Sequence, residues 1–255
     1  MPFVKVTPEK LSQTVVRQIE QLILRGILRP GERLPSERDL AEELGVSRPS
    51  LRDALADLSE RGLLVSRAGS GVFVADVLGS AFSPALIQLF ASHDEAVSDY
   101  IAFRRDIEGL AAERAARLGS QTDLRVIDTI FRKMEAAHQK RDPSDEAQLD
   151  AEFHMAIIEA SHNVIMLHML RSMFDLLRQG VFYNRQMLFR NRMTRDQLLD
   201  QHRAMNIALQ ARDPEAARAA VEAHLAYVEQ AFAEQLRAEK HEAIARQRLE
   251  HEARR

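Results

Sequence analysis

Three histidines and one aspartate have the residue types and the spacing of a buried metal site. Asp150 and His154 lie four residues apart, on a predicted helix face that also carries apolar residues. His202 and His224 lie on the apolar stripes of two later predicted helices. A lone inward histidine is usually a hydrogen-bonded core residue, and that interpretation stays open for each of them. Because a buried polar group without a partner costs about 1–3 kcal/mol, the set as a whole favours one shared divalent cation.

The chemistry of this set narrows the choice of metal without deciding it. One carboxylate and three imidazoles suit Zn²⁺, Ni²⁺, Mn²⁺ or Fe²⁺. Cysteine is absent from the sequence, which excludes a thiolate site. We expect one divalent metal per chain, with Zn²⁺ preferred and the other three ions as alternatives. The remaining histidines are assigned to the surface (His93, His138, His241 and His251) or to a structural role (His162 and His168).

Arg104 lies on the inner, apolar stripe of another predicted helix, where its charge requires an anion. Glu108, one helical turn later, can be that anion, which would be a purely structural role. The functional alternative is a bidentate clamp for a small carboxylate whose other oxygens reach the metal. Four protein ligands leave positions open on a five- or six-coordinate metal, so the metal and Arg104 can hold one such carboxylate together.

A second group of candidate residues lies near the N-terminus and has the placement of a DNA-reading surface. Arg48 and Arg52 are four residues apart on one face of a short predicted helix, and arginine can donate two hydrogen bonds to guanine O6 and N7. Arg38 lies on the preceding predicted helix, and Gly69 can bring a backbone N–H close to the DNA. Ordinary solvated charge is the alternative. The candidate DNA-binding residues are Arg38, Ser47, Arg48, Ser50, Arg52 and Gly69.

The distribution of glycine and proline divides the chain that carries these residues. Six of the ten glycines and five of the eight prolines fall within the first 75 residues. Turns are therefore frequent there and rare afterwards. The predicted organisation is a DNA-binding domain over 1–75, a linker over 76–84, a metal- and effector-binding domain over 85–240 and a charged tail over 241–255. We expect the tail to fray or to extend as a solvated helix.

The predicted fold is mainly α. In the first domain an amphipathic helix over 11–24 precedes two shorter helices, capped by Ser36 and Ser47, with Pro49 in the first turn of the last one. Two short strands around a turn are then predicted for LLVSR and GVFVA, and they complete a winged helix-turn-helix. The second domain is predicted to be an all-α bundle with helices over 94–118, 121–140, 145–161, 163–192, 194–211 and 214–240.

Composition and charge exclude several classes of protein. No stretch approaches the 18 apolar residues of a membrane span, and the N-terminus lacks a signal peptide, so we expect a cytoplasmic protein without a membrane partner. Residues 1–75 hold 11 Lys and Arg against 10 Asp and Glu. A nearly neutral winged domain disfavours a nucleoid-type protein, because binding without sequence preference depends mainly on phosphate neutralisation.

The winged domain resembles the GntR family of bacterial transcription regulators, and the resemblance is carried by the stretch PGERLPSERDLAEELGVSRPSLRDALADLSERGLLVSRAGSGVFV. It implies that operator DNA is contacted by the arginines Arg38, Arg48 and Arg52 and by the wing-tip glycine Gly69. Ala68 departs from the family pattern because it supplies no side-chain donor. Base reading at the wing tip would therefore fall to the backbone or to Ser70.

The second domain is similar to the ligand-sensing FCD domain of the FadR subfamily, in the stretches FRRDIEGLAA, DAEFHMAIIEASHN, DQHRAM and EAHLAYVE. The resemblance implies a divalent metal on Asp150, His154, His202 and His224, and it puts Arg104 in the effector pocket. The stretch SHNVIMLHMLRSMFDLL is especially similar to regulators that respond to lactate or pyruvate. An effector of the lactate, pyruvate or glycolate class is therefore expected.

These observations predict a ligand-responsive transcription factor that binds a palindromic operator as a homodimer, since two recognition helices are needed to span such a site. A small 2-hydroxy or 2-keto carboxylate in the metal-containing pocket would modulate DNA binding. The alternative is a metalloenzyme with a DNA-targeting module. That enzyme would need a general base beside its substrate, and Asp150 is already assigned as a ligand.

Overall fold

The chain folds into two compact units, residues 1–79 and 80–255. The structure is a computed structural model, and it describes residues 10–76, 83–140, 144–178 and 192–253. Most of the predicted linker therefore lies outside the described residues. So do the first nine residues, the predicted helix break at 142–143, the segment 179–191 of one predicted helix and the last two residues of the tail.

The first unit is a winged helix-turn-helix, as predicted. Its elements in chain order are α1 (Leu11–Leu24), α2 (Glu37–Glu43), α3 (Arg48–Glu60), β1 (Leu64–Arg67) and β2 (Gly71–Val74). The strands pair antiparallel, with Leu64 opposite Val74 and Arg67 opposite Gly71. The backbone between β1 and β2 turns at Gly69, whose φ of 71° is a conformation that favours glycine.

Local sequence signals explain where α2 and α3 begin. The Ser36 hydroxyl accepts a hydrogen bond from the Asp39 amide, and the Ser47 hydroxyl accepts one from the Ser50 amide. Each bond satisfies an amide that the first helical turn would leave unpaired. On α3 the side chains of Leu51 and Leu58 are fully buried, whereas Arg48 and Arg52 are exposed. Burial of this apolar face fixes α3 in the unit and leaves its arginine-bearing face in solvent.

The wing has one feature that the sequence did not predict. The segment 31–34, which precedes α2, runs along β2 as a third strand-like segment. Leu34 N donates to Val72 O and Val74 N donates to Glu32 O, both at 2.9 Å. Sequence periodicity cannot detect four residues that pair with a strand nearly 40 positions away. These bonds tie the start of the helix-turn-helix to the wing.

In the described residues of the second unit every element of regular secondary structure is a helix, in agreement with the predicted bundle. Its helices are α4 (Pro84–Ala91), α5 (Asp94–Leu118), α6 (Gln121–His138), α7 (Ser144–Ala160), α8 (Val164–Arg178), α9 (Arg192–Gln210) and α10 (Pro214–Ala253). No helix among the described residues is long and apolar enough to cross a membrane.

Packing in this unit positions the candidate site. Helix α10 lies against α5 and α9, and α7 lies against α5 and α6. Two apolar clusters result, one around Ile101, Ile158 and Leu170 and the other around Phe153 and Met205. Helices α5, α7, α9 and α10 therefore turn side chains toward one interior region.

Two ends of the predicted bundle differ from the structure. Helix α4 was not predicted as a helix, although Ser83 caps it and Pro84 occupies its first turn. The linker was predicted to end at Pro84, and residues 85–93 were assigned to the second domain but to no helix. At the other end α10 remains helical to Ala253, with residues 241–253 exposed. Of the two outcomes expected for the tail, the described part has the extended, solvated helix.

Candidate functional site

The four predicted metal ligands lie together in the interior of the second unit. Asp150 and His154 are one turn apart on α7, His202 lies on α9 and His224 lies on α10. One candidate ligand atom from each residue can be chosen so that all four lie within 4.8 Å of one another. All four residues are buried, with at most 5% of their surface exposed. The predicted set is thus one cluster in space.

The hydrogen bonds of the three imidazoles leave Nε2 of each ring for the cluster. His154 Nδ1 donates to Glu108 Oε2 at 2.7 Å, and His202 Nδ1 donates to the Leu198 carbonyl oxygen at 2.7 Å. His224 Nδ1 donates to Oε1 of Gln201 at 2.9 Å. A proton on Nδ1 leaves an acceptor lone pair on Nε2, which is the tautomer that binds a metal.

The groups that face one another in the cluster are therefore acceptors. His202 Nε2 lies 3.3 Å from His154 Nε2 and 3.1 Å from Asp150 Oδ1. With the Nδ1 positions protonated, neither Nε2 atom can donate to the other. A divalent cation bound among them would satisfy both nitrogens and the carboxylate at once. The donor set of this chain fits such a cation.

Electrostatics favours the metal-binding form of the rings. Burial lowers the pKa of His154, against the opposing charge of Glu108. Burial, followed by the charges of His202 and His154, lowers the pKa of His224 well below its ordinary value. The neutral imidazole is the form that ligates a metal, so these shifts keep the rings competent at neutral pH.

Arg104 and Glu108 form a buried pair on α5 beside this cluster. Arg104 Nε donates to Glu108 Oε1 at 2.6 Å, and Nη2 donates to Oε2 at 3.4 Å. Burial opposes ionisation of Glu108, but the Arg104 guanidinium and the contact with His154 lower its pKa to about 2. The Arg104 guanidinium also lies 4.7 Å from the centre of the Phe174 ring. The structural partner predicted for Arg104 is thus present.

Glu108 has a second contact that the sequence analysis missed, since its carboxylate also accepts from the candidate ligand His154. Gln201, which orients His224, was missed as well. Both are outer partners that fix ring orientation and basicity. A sequence signal existed for Glu108, because it lies one turn from Arg104 on the inner stripe of α5. No such signal marks Gln201, which neighbours His202 in the sequence.

The assignment of His138 to the surface is wrong. His138 is 6% exposed, with Nδ1 3.3 Å from Glu146 Oε2 and Nε2 2.8 Å from Asp196 Oδ1. Arg195 pairs with Glu146 and donates to the carbonyl oxygens of His138 and Lys140. This network joins the end of α6 to the starts of α7 and α9. His162, which was assigned a structural role, has its Nε2 3.0 Å from Asp123 Oδ2.

The candidate DNA-binding residues form an exposed surface on the first unit. Arg38, Arg48 and Arg52 are all exposed. Glu37 Oε2 holds Arg52 Nε at 2.7 Å, and Asp39 Oδ1 holds Arg38 Nε at 3.2 Å. The three remaining candidates are exposed or half-buried at the start of α3 and at the wing turn, namely Ser47, Ser50 and Gly69.

Comparison with known families matches both units. The model of the bacterial regulatory proteins of the gntR family matches residues 11–74, and the model of the FCD domain matches residues 99–227. A solved structure, the GntR protein of Streptococcus agalactiae, covers 86% of this chain and 99% of its own with a TM-score of 0.53. At 24% identity this likeness establishes the fold alone.

Two Escherichia coli K12 proteins are more similar in sequence. The L-lactate dehydrogenase operon regulatory protein is 37% identical over 227 residues, which are 88% of this chain and 86% of that protein. The Glc operon transcriptional activator is 35% identical over 218 residues, which are 84% of this chain and 86% of that protein. The chain therefore belongs to the GntR family of bacterial regulatory proteins, carries an FCD domain and is a ligand-responsive transcriptional regulator rather than an enzyme.

Proposed function

We propose that this regulator binds a palindromic operator as a homodimer and that a small 2-hydroxy or 2-keto carboxylate modulates this binding from a metal-containing pocket. The proposal rests mainly on one observation. Three buried imidazoles with Nδ1 engaged, together with a carboxylate, converge within 4.8 Å. Since the DNA of a bacterium is cytoplasmic, the proposed location is the cytoplasm.

The proposed cofactor is one divalent metal per chain, with Zn²⁺ preferred and Ni²⁺, Mn²⁺ and Fe²⁺ as alternatives. Asp150, His154, His202 and His224 would hold it. When bound, the metal supplies open coordination positions for the oxygens of a ligand. Glu108 and Gln201 support this role because they fix the rings of His154 and His224.

The proposed effector class follows from charge and valence. A 2-oxygenated carboxylate such as lactate, pyruvate or glycolate offers two oxygens that can form a five-membered chelate. Arg104 would bind the carboxylate charge, because a planar guanidinium with five N–H donors can contact Glu108 and an effector carboxylate together. The name of the 37%-identical relative, an L-lactate dehydrogenase operon regulator, supports the same class.

The metal proposal is tested by elemental analysis of protein purified without an affinity tag or added metal, followed by thermal unfolding with a chelator. We expect about one metal per chain and a lower Tm after chelation. The variant His202→Ala should lack both the metal and the chelator response. If the protein held no stoichiometric metal and the chelator left its Tm unchanged, the histidines would be ordinary hydrogen-bonded core residues.

The effector proposal is tested by calorimetry of the metal-loaded protein against lactate, pyruvate, glycolate, citrate and a long-chain acyl-CoA. Arg104→Lys is the informative variant, because it keeps a charge for Glu108 and removes the bidentate fork. We expect it to retain the metal and basal DNA affinity while losing most of the response to the small acid. Binding of the acyl-CoA alone, or a wild-type response in the variant, would contradict the proposal.

The operator proposal is tested with a duplex that the wild-type protein selects from a random pool. Arg48→Ala and Arg52→Ala should each weaken binding to this duplex by about 1–3 kcal/mol relative to random DNA. Two half-sites about one helical turn apart, bound by two chains, would support the dimer. Equal losses of affinity for both duplexes would indicate that these arginines contact only phosphates.

A further inference from the structure

Arg52 on α3 is held by a carboxylate from a different helix. Its Nε lies 2.7 Å from Oε2 of Glu37, the first residue of α2, and both side chains are partly exposed. No partner is recorded for the two terminal nitrogens of Arg52 in the part of the chain that the structure describes. The Nε edge of the guanidinium is thus engaged while its outer edge is turned to solvent.

This geometry suits base reading. A guanidinium is planar and rigid, so one carboxylate on its Nε edge fixes the direction of the two terminal N–H groups on the other edge. Those terminal groups are the pair that bonds guanine O6 and N7. An unrestrained arginine would have to lose more side-chain freedom when it binds a base.

We propose that Glu37 is a positioning residue that orients Arg52 for sequence-specific reading of operator DNA. The inference rests on the proposed operator binding and adds to it the residue that sets specificity without itself contacting a base.

The neighbouring arginine supports this inference independently. Arg38 Nε lies 3.2 Å from Asp39 Oδ1, and the Ser36 hydroxyl donates to the other oxygen of Asp39 at 2.6 Å. Two of the three candidate arginines are therefore restrained at Nε by acids from the first turn of α2. Arg48 forms no recorded ion pair among the described residues, so the chain contains an unrestrained comparison on the same helix.

The position of Glu37 is otherwise unfavourable for a DNA-binding protein. Exposed ion pairs contribute little to the stability of a fold, so stability does not explain it. A carboxylate near DNA repels phosphates and weakens binding that lacks sequence preference. A positioning role therefore has a distinctive signature, in which loss of Glu37 weakens operator binding while random DNA is bound as well as before or better.

The test compares full-length Glu37→Ala with the wild type on the selected duplex and on random duplex at one salt concentration. The matched control is Glu43→Ala, which removes the same charge from the exposed last turn of α2. We expect the operator-to-random affinity ratio to fall about tenfold in Glu37→Ala. In the control we expect both affinities to change by the same factor, with the ratio within twofold of wild type.

Two further variants separate positioning from charge. Glu37→Gln keeps an acceptor for Arg52 Nε, so it should restore a large part of the lost ratio, whereas a pure charge effect would make it equal to Glu37→Ala. Addition of Glu37→Ala to Arg52→Ala should cause no further loss of the ratio, since the two residues act as a unit.

Failure of this inference can be distinguished from failure of the proposed operator binding. If Arg52→Ala loses the ratio and Glu37→Ala keeps it, operator reading stands and the positioning role is wrong. An equal fall in Glu43→Ala would also overturn it, because the effect would then be general charge. A wild-type protein without preference for the selected duplex would overturn both proposals.

Discussion

Two arginine–carboxylate pairs in this protein have nearly equal lengths and opposite surroundings. Arg52 and Glu37 are 2.7 Å apart on the winged unit, with 68% and 40% of their side-chain surface exposed. Arg104 and Glu108 are 2.6 Å apart in the helical unit, with 2% of each exposed. Water screens the first pair, whereas the second depends on each partner to neutralise the other. A contact of the same kind therefore orients a side chain in the winged unit and neutralises two buried charges in the helical unit.

The difference bears on what each arginine can do. Arg52 can bind a base through its terminal nitrogens while Glu37 stays on Nε, and opening of the pair would cost little because both side chains are exposed. Arg104 cannot leave Glu108 in this way, since Glu108 would become a buried charge held only by His154. An effector at Arg104 must therefore share the guanidinium with Glu108 rather than displace it.

The largest expected effect comes from breaking the buried pair. Arg104→Met should lower the free energy of unfolding of the helical unit by about 3–5 kcal/mol, because it leaves Glu108 buried without its main counter-charge. Arg104→Met with Glu108→Met should recover most of that loss. All three tyrosines, Tyr100, Tyr183 and Tyr227, lie in residues 80–255, so tyrosine fluorescence during urea unfolding reports on this unit alone. A loss below 1 kcal/mol would mean that the two pairs are equivalent.

The elements that the sequence predicted well are those set by local interactions. Ser47 and Pro49 mark the start of α3 because capping and the first-turn position of proline involve only neighbouring residues. Asp150 and His154 were recognised as partners because a four-residue spacing places both on one helix face. The meeting of these two residues with His202 and His224 was inferred from the shared apolar environment of all four.

The features that were missed depend on contacts between distant residues. His138 was assigned to the surface, although it continues the buried spacing of Phe131 and Met134. Its partners Glu146 and Asp196 lie 8 and 58 residues away, so no local pattern indicates that its polar atoms would be satisfied in the interior. The pairing of residues 31–34 with β2 was missed for the same reason.

The stability of the two units should depend differently on pH. The folded pKa values of His154 and His224 lie below the ordinary value of 6.5, so only the unfolded chain gains protons as the pH falls through 6.5. Stability of the metal-free helical unit should therefore be constant above pH 6.5 and fall below it, by up to about 1.4 kcal/mol per pH unit for each histidine. Glu108 should add a further loss between pH 4.5 and about 2.

The measurement is urea unfolding of chelated protein between pH 8 and 5, followed by tyrosine fluorescence. The variant His224→Gln should show a shallower slope, because one titrating ring is removed. The winged unit, followed by the fluorescence of a Phe73→Trp variant, is an internal control, since residues 1–75 contain no histidine. A pH-independent helical unit would show that burial does not keep these rings neutral.

The two outer partners of the cluster, Glu108 and Gln201, should contribute unequally to metal affinity. Glu108→Gln should weaken metal binding about 10- to 100-fold, because the neutral amide makes His154 a less basic ligand. Gln201→Ala should have a smaller effect, since the group that it removes from His224 is already neutral. Competition with a chromophoric chelator, on protein shown to be folded by circular dichroism, gives the affinities. Equal effects in the two variants would remove any special role for the buried carboxylate.

The smallest expected effect comes from breaking the exposed pair. Glu37→Ala should lower the free energy of unfolding of the winged unit by less than about 1 kcal/mol, because screening by water leaves little attraction to lose. Arg52→Ala should behave in the same way. The winged unit lacks tryptophan and tyrosine, so a Phe73→Trp background supplies the probe for urea unfolding. If Glu37→Ala cost as much as Arg104→Met, Glu37 would be a structural residue, and a loss of operator preference in that variant would no longer indicate positioning of Arg52. A small stability change combined with a tenfold fall in preference would separate orientation from stability within one ion pair.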